Sequence, residues 1–416
     1  MTPQTILYII LAFLAFDYVF EQIMDFLNLK SSKKTLPAEL SDIYNADEYQ
    51  KSQDYHAERS RFGFLTSALS FIIYFGVIAT GFLGFWDNYL AQWVTHDTLR
   101  AIVFFASLYI VSDILTLPFQ YYSTFVIEEK YGFNKSTVKL FFMDKLKSYL
   151  LSAIIGGGIL WILLTLISAI GSNFWIWFWV VISIIMFLLN MFYTSVFVPL
   201  FNKLSPLEEG ELKSAIVSYC EKVKFPLTQV FIIDGSKRST KSNAYFSGIG
   251  KKKKIVLFDT LVEKHTTEEL VAVLAHEVGH YKKKHIVSGF VLSILQTGLI
   301  LFILSLFINT PSLSEALGST TLSVHLNLVA FGMLFSPISE VIGIFMNLLS
   351  RKNEYEADQY ATETYSGKAL IKALKNLASH NLSNLTPHPL FAFINYSHPP
   401  MLKRIQHIKS LANGKR

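Results

Sequence analysis

The chain has 416 residues, of which 51% are hydrophobic and only 16% charged, where a soluble domain carries about 25% charge. That composition, with 35 Phe and 20 Tyr, excludes a disordered chain, a disulfide scaffold and a basic protein that coats nucleic acid. The one cysteine, Cys220, has no partner for an internal bridge, and the net charge of +6 is explained by where the cations sit along the chain.

Seven stretches are apolar over roughly 20 residues, enough to cross a bilayer. They are 5–27, 63–86, 101–119, 149–170, 174–197, 286–308 and 326–349. The first carries Asp17 and Glu21 and lacks the basic flank and cleavage pattern of a signal peptide. The segments between alternate spans hold six, five, fifteen and ten Lys and Arg, whereas the other side holds Arg100 alone. By the positive-inside rule the N-terminus is outside or lumenal and the C-terminus cytoplasmic. The basic excess is then a topology signal with some attraction to the lipid bilayer, and no nucleic acid is expected as a partner. Asp17, Glu21, Asp113 and Glu340 lie within or beside apolar runs, facing either a wet interior or a helix–helix bond. The aromatic run FWIWFWVV at 174–181 reads as lipid-facing, and His285 and His325 as interfacial.

The chain divides into 1–201 (spans one to five), 202–285 (a polar segment), 286–349 (spans six and seven) and 350–416 (a second polar segment). The two polar segments must fold together from discontinuous chain. In the first, 207–224 has helical spacing and Pro226 ends it. Residues 228–233, 243–247 and 255–258 are β-rich, and the lysines 251–254 read as a solvated hairpin tip. A second helix starts at Thr266, with Glu269 three residues on, a capping-box pattern.

That helix carries His276-Glu277-Val278-Gly279-His280. His276 and His280 are one turn apart on one face, so both imidazoles can reach one Zn²⁺. Glu277, offset by one position, flanks the metal and can take a proton from the attacking water. Gly279 costs the helix about 1 kcal/mol relative to Ala, which a close approach by another element would explain. A catalytic zinc needs a third protein ligand. Glu354 and Asp358, i and i+4 just beyond span seven, offer a ligand and a supporting acceptor. Spacing alone leaves that reading level with a solvent-facing acidic helix. Glu356, two residues along, points away from the metal.

Together these residues resemble the integral-membrane CAAX prenyl proteases of type I, zinc metallopeptidases of gluzincin type. HEVGH, RKNEYEAD, SHPPMLKRI, GSKRSTKSNAYFSG and EEKYGFNKST carry the resemblance over nearly the whole chain. It implies a mainly α polytopic fold, with seven transmembrane helices enclosing a chamber and a small α+β zincin-like cytoplasmic domain. It implies one Zn²⁺ per chain on His276, His280 and Glu354, with Glu277 catalytic and Asp358 supporting the ligands. Asn243, His398 and Arg404 match polar groups around the metal and substrate, and 243–247 matches an edge strand on which a peptide pairs. His398 is either a donor to the oxyanion or a structural histidine beside a Pro-Pro turn. Arg404 pairs with either Asp358 or a substrate carboxylate.

The implied function is a membrane zinc endopeptidase acting on peptide or protein substrates, prenylated or not. The alternative is an inactive zinc-containing transporter or translocation clamp. The tail NGKR has no lysine pair of the retrieval kind, and the chain is shorter than typical eukaryotic members, which favours a bacterial inner membrane over the endoplasmic reticulum.

Overall fold

The computed structural model describes residues 1–31, 36, 40–247 and 253–413. Its main helices are α1 (Pro3–Lys30), α2 (Ala46–Ala79), α3 (Asp97–Tyr122), α4 (Val138–Leu151), α5 (Gly157–Ile170) and α6 (Phe174–Phe192). They continue with α7 (Glu211–Lys222), α8 (Thr267–Lys282), α9 (His285–Phe307), α10 (Val324–Ala361), α11 (Gly367–His380) and α12 (Met401–Asn413). Six helical runs are long and apolar enough to cross a membrane, and the fourth, Val138–Phe201, has 64 residues. Gly171, at φ +65°, breaks that run between α5 and α6, which then pack on each other. Counted as two passes, it restores the seven crossings read from sequence. Only 6–22% of each apolar window is buried against the rest of the chain, as expected of helices whose outer faces meet lipid, while Ile10, Phe104 and Leu326 form a packed cluster between them.

The aromatic run corrects the lipid-facing reading. Phe174 and Phe178 are buried against Leu301, Leu304 and Ile308 of α9, and Trp179 donates its indole N–H to the Ile294 carbonyl at 2.8 Å. Only residues such as Trp177 face outward. An all-apolar helix carries no periodicity to mark its inner face. The second span also ends earlier than expected, at Ala79; Trp86 lies in a separate helix, Phe82–Ala91. Among the acids, Asp113 accepts from Lys145 and Tyr149, and Asp17 accepts from Ser336 at 2.9 Å, both helix–helix bonds. Arg100, the lone cation of its side, is neutralised by Asp87 at 3.1 Å and Asp97 at 3.0 Å. His325 is buried and bonds the same Asp87 at 2.8 Å.

The polar segments form one α+β unit. Its four strands are β1 (Leu204–Pro206), β2 (Leu227–Ile233), β3 (Ala244–Ser247) and β4 (Lys253–Phe258), in the order β1-β2-β4-β3. The β2–β4 pair is parallel and the others antiparallel, leaving β3 at an edge. α7 starts later than the spacing suggests: Leu207 still donates its N–H to Val230 of β2 at 2.9 Å, and the helix begins only after Gly210. Val230, Ile255 and Leu257 of the sheet pack with Ile216, Leu270 and Leu274 of the helices. The lysine tip is a further correction. Lys253 and Lys254 belong to β4, with their ammonium groups 4.9 Å from the Tyr281 ring and 5.5 Å from the Phe231 ring. Lys251 and Lys252 lie outside the described residues.

Two sequence motifs without obvious chemistry seat this unit on the membrane helices. Arg238 makes a forked pair with Asp144 of α4 at 2.7 and 2.9 Å. Lys241 reaches Glu128 at 2.7 Å, and Tyr55 of α2 donates to the same carboxylate at 2.6 Å.

Candidate metal centre

α8 is fixed at its start by its cap. Thr266 and Glu269 bond each other's backbone N–H, an arrangement that stabilises a helix by about 1 kcal/mol. Glu269 is buried and also receives His265 at 3.0 Å, Lys372 at 2.9 Å and Asn376 at 3.0 Å, which tie α8 to α11. Farther along, Gly279 lies against Ala357 of α10: a Cβ there would sit 3.0 Å from the Ala357 Cα. This is the close approach that explains a glycine inside the helix.

The crossing brings three donor atoms together. His276 Nε2 and His280 Nε2 are 3.2 Å apart. Glu354 Oε1 is 3.2 Å from His280 Nε2, and Oε2 is 3.5 Å from His276 Nε2. A tetrahedral cation with bonds of about 2.0–2.1 Å has edges of about 3.3–3.4 Å between its ligands. The donor set therefore fits such a cation. Both Glu354 oxygens are shielded from solvent and face the imidazoles, with the Arg404 guanidinium 3.2 Å from Oε2.

The supporting contacts settle which atoms face inward. Asp358 Oδ1 takes His276 Nδ1–H at 2.9 Å, which frees Nε2 for a cation. Arg404 of α12 grips Asp358 at 2.6 and 2.9 Å and reaches Glu354 Oε2 at 3.2 Å. Of the two partners read from sequence for Arg404, the structure takes the protein carboxylate and adds Glu354. Burial disfavours a charged His276, but its bonds to Asp358 and Glu354 outweigh that and push it up to about 9. A cation held by these atoms would take the place of that proton. Burial pushes Glu277 up from the ordinary glutamate value, against the opposing pull of the two imidazoles.

A cavity of about 170 Å³ opens beside the triad. Asn243, His276, Glu277, Glu354, His398 and Arg404 supply its polar wall, and Val273, Leu370 and Leu374 its apolar one. Asn243 immediately precedes β3, and Ala244 of that edge strand also lines the cavity. His398 lies 3.4 Å from Glu354 Oε1. Asn243, His276, Glu277, His280, Glu354, Asp358, His398 and Arg404 are thus gathered at one place.

Two residues were missed. His285, read as interfacial, is buried and sets its Nδ1 3.1 Å from His280 Nδ1. Glu356 does point away from the metal position, yet its carboxylate takes His285 Nε2–H at 3.1 Å. A proton on Nε2 leaves His285 Nδ1 as acceptor, so His280 donates from Nδ1 and turns Nε2 inward. The only sequence signal was a histidine five residues after His280.

Residues 25–203 match the family described as CAAX prenyl protease N-terminal, five membrane helices, and residues 206–412 match peptidase family M48. The chain belongs to peptidase family M48. CAAX prenyl protease 1 of Saccharomyces cerevisiae is 36% identical, with 93% of this chain and 91% of that protein covered. The CAAX prenyl protease 1 homologue of Arabidopsis thaliana is 34% identical, with 96% of each covered, and that of Homo sapiens 32%, with 90% and 89%. The crystal structure of S. mikatae Ste24p matches with a TM-score of 0.91 at 34% identity, over 97% of this chain and 98% of that one. This M48 peptidase is therefore a multi-pass membrane metalloprotease, and its His/His/Glu cluster is compatible with zinc.

Proposed function

We propose that the chain is a zinc endopeptidase that cleaves CAAX-type prenylated peptides or membrane-associated proteins. The carrying observation is that Glu277 shares one cavity with three convergent metal donors. His276, His280 and Glu354 hold the ion, one per chain. Bound there, zinc supplies Lewis-acid chemistry and an acidified water. Glu277 takes a proton from the attacking water and returns it to the leaving amine. Burial, by raising its pKa, makes Glu277 a stronger base than an exposed glutamate. Asp358 and Arg404 fix the ligands, and His398, at the cavity mouth, donates to the oxyanion of the scissile carbonyl.

The substrate enters as an extended strand along β3, which starts at the cavity and has no neighbouring strand on its outer side among the described residues. Asn243 holds the backbone at the start of that strand: its Oδ1 accepts from Ala244 N–H at 2.8 Å. The site faces the cytoplasm, a reading supported by all but one of the 37 Lys and Arg falling on its side of the spans. The prenylated class is drawn from the names of the relatives.

Purified chain is incubated with prenylated and unprenylated CAAX peptides, with and without a chelator. Cleavage should need the metal and favour the prenylated peptide. Glu277→Gln should keep the metal and lose about 10²–10⁴-fold in turnover. Retained turnover in that variant refutes the mechanism, and equal cleavage of both peptides refutes the substrate class.

A further inference from the structure

The segment around Pro399 separates two cavities. His398 faces the metal, whereas Pro399 and Pro400 line a second groove of about 730 Å³. Its walls are apolar, including Leu348, Leu385, Phe393 and Leu402. Arg351, Lys352 and Lys403 line it too, and no carboxylate does among the described residues. The groove lies where the spans leave the apolar layer. α10 passes there from Leu348 and Leu349 to Arg351 and Lys352, and Ser31, the residue after α1, borders the same space.

Arg351 is the anomaly. Its Nη1 donates to the carbonyls of Ala392, at 3.4 Å, and Tyr396, and the guanidinium lies 5.6 Å from the Phe393 ring, but Nη2 is buried with no hydrogen-bond partner. Arg100, Arg238 and Arg404 are also shielded from solvent, and each pairs with an aspartate. Arg351 has no carboxylate within 4.0 Å among the described residues. Lys352 has only a 3.8 Å approach to Glu356, on the exposed surface. A shielded guanidinium without a counter-charge is costly, and an anion removes that cost.

We propose that this groove binds an anionic phospholipid. Its phosphate sits among Arg351, Lys352 and Lys403, and an acyl chain lies against Leu348 and Phe393. Charge and depth together favour this occupant. Three cations call for an anion, and the exposed Leu348, Leu390 and Phe393 at the edge of the apolar layer call for a hydrocarbon tail. A free phosphate has no use for those walls.

The full chain in detergent is titrated with phosphatidylglycerol, phosphatidylcholine or inorganic phosphate, and native mass spectrometry reads what is retained. One phosphatidylglycerol should be held per chain. Each cation near a membrane surface contributes about 1 kcal/mol to such binding, so phosphatidylglycerol should bind about ten- to a hundred-fold more tightly than phosphatidylcholine. Arg351→Gln should cut that preference about five-fold. Lys352→Gln with Lys403→Gln, which touches no backbone bond, should weaken it about 30-fold and serves if Arg351→Gln fails to fold. Equal retention of the two lipids, unchanged binding by the double variant, or displacement of phosphatidylglycerol by inorganic phosphate would each overturn the proposal.

Discussion

Gly279→Ala tests whether the spacing of two helices sets the metal geometry. An added Cβ would meet Ala357 Cα at 3.0 Å, Ala357 O at 3.1 Å and Tyr360 Cβ at 3.2 Å. Comfortable carbon contacts are about 3.5–4.0 Å, so α8 and α10 must part by about 0.5 Å. Two effects on stability oppose each other. Alanine gains about 1 kcal/mol in helix propensity, and crowding in a packed interface costs about 1–3 kcal/mol. The net change in the metal-free protein should be about 2 kcal/mol or less. Metal geometry is less forgiving. Glu354 lies three residues before Ala357 on α10, and ligand distances hold to within about 0.2 Å. A shift of about 0.5 Å pulls Glu354 off the histidines, so zinc affinity should fall about ten-fold or more. Competition against a chelator of known affinity reads the metal, and a thermal scan of the metal-free protein reads the fold. Wild-type affinity in the alanine variant would show that the close crossing does not set the ligand distances.

Three further outcomes follow from the same geometry. Arg404→Gln leaves Asp358 and Glu354 buried without their cation, so reversible denaturation of the metal-free protein should show a loss of about 3–5 kcal/mol; a loss below about 1 kcal/mol would mean the pair is solvated. Glu356→Ala frees His285 to turn away from His280 and should weaken zinc binding about ten-fold without moving the metal-free unfolding temperature; an unchanged affinity removes Glu356 from the ligand support. His276, protonated below about 9 in the metal-free protein, must lose that proton when the ion enters, so affinity should rise about ten-fold per pH unit from 7 towards 9 and level off above. Calorimetry in buffers of different ionisation enthalpy should find about one proton released at pH 7, and a flat profile between 7 and 9 would contradict the assignment.

Legibility from sequence followed the range of each interaction. His276, Glu277 and His280 were readable because a helix places i and i+4 on one face, whatever the fold around it. Glu354 stood level with a surface acid on spacing alone. Its place depends on α10 crossing α8, which no local pattern reports. Arg404 was undecided for the same reason, since its partner Asp358 is 46 residues away. His285 went unread because Lys284, at φ +61°, breaks the helix between it and His280, so helical spacing no longer predicts its neighbours. Glu356 points away from the donor cluster, and the start of α9 gives it another partner. The inner face of FWIWFWVV was invisible because every residue in it is apolar.

The metal position ties parts of the chain that a membrane pair would otherwise separate. The histidines precede α9, Glu354 and Asp358 follow the apolar part of α10, and Arg404 comes from α12. A cation bound to all three donors therefore links α8 to a helix that leaves the membrane some 70 residues later. Arg404 closes the arrangement from the opposite side, since it holds Asp358 and Glu354 with no metal present. The protein thus keeps the carboxylates in place before the ion arrives. Only the contest between His276's proton and the metal remains to be resolved on binding. An arrangement already held this way loses little conformational entropy when the ion enters, so a carboxylate supplied from a separate, distant segment can still serve as a tight ligand.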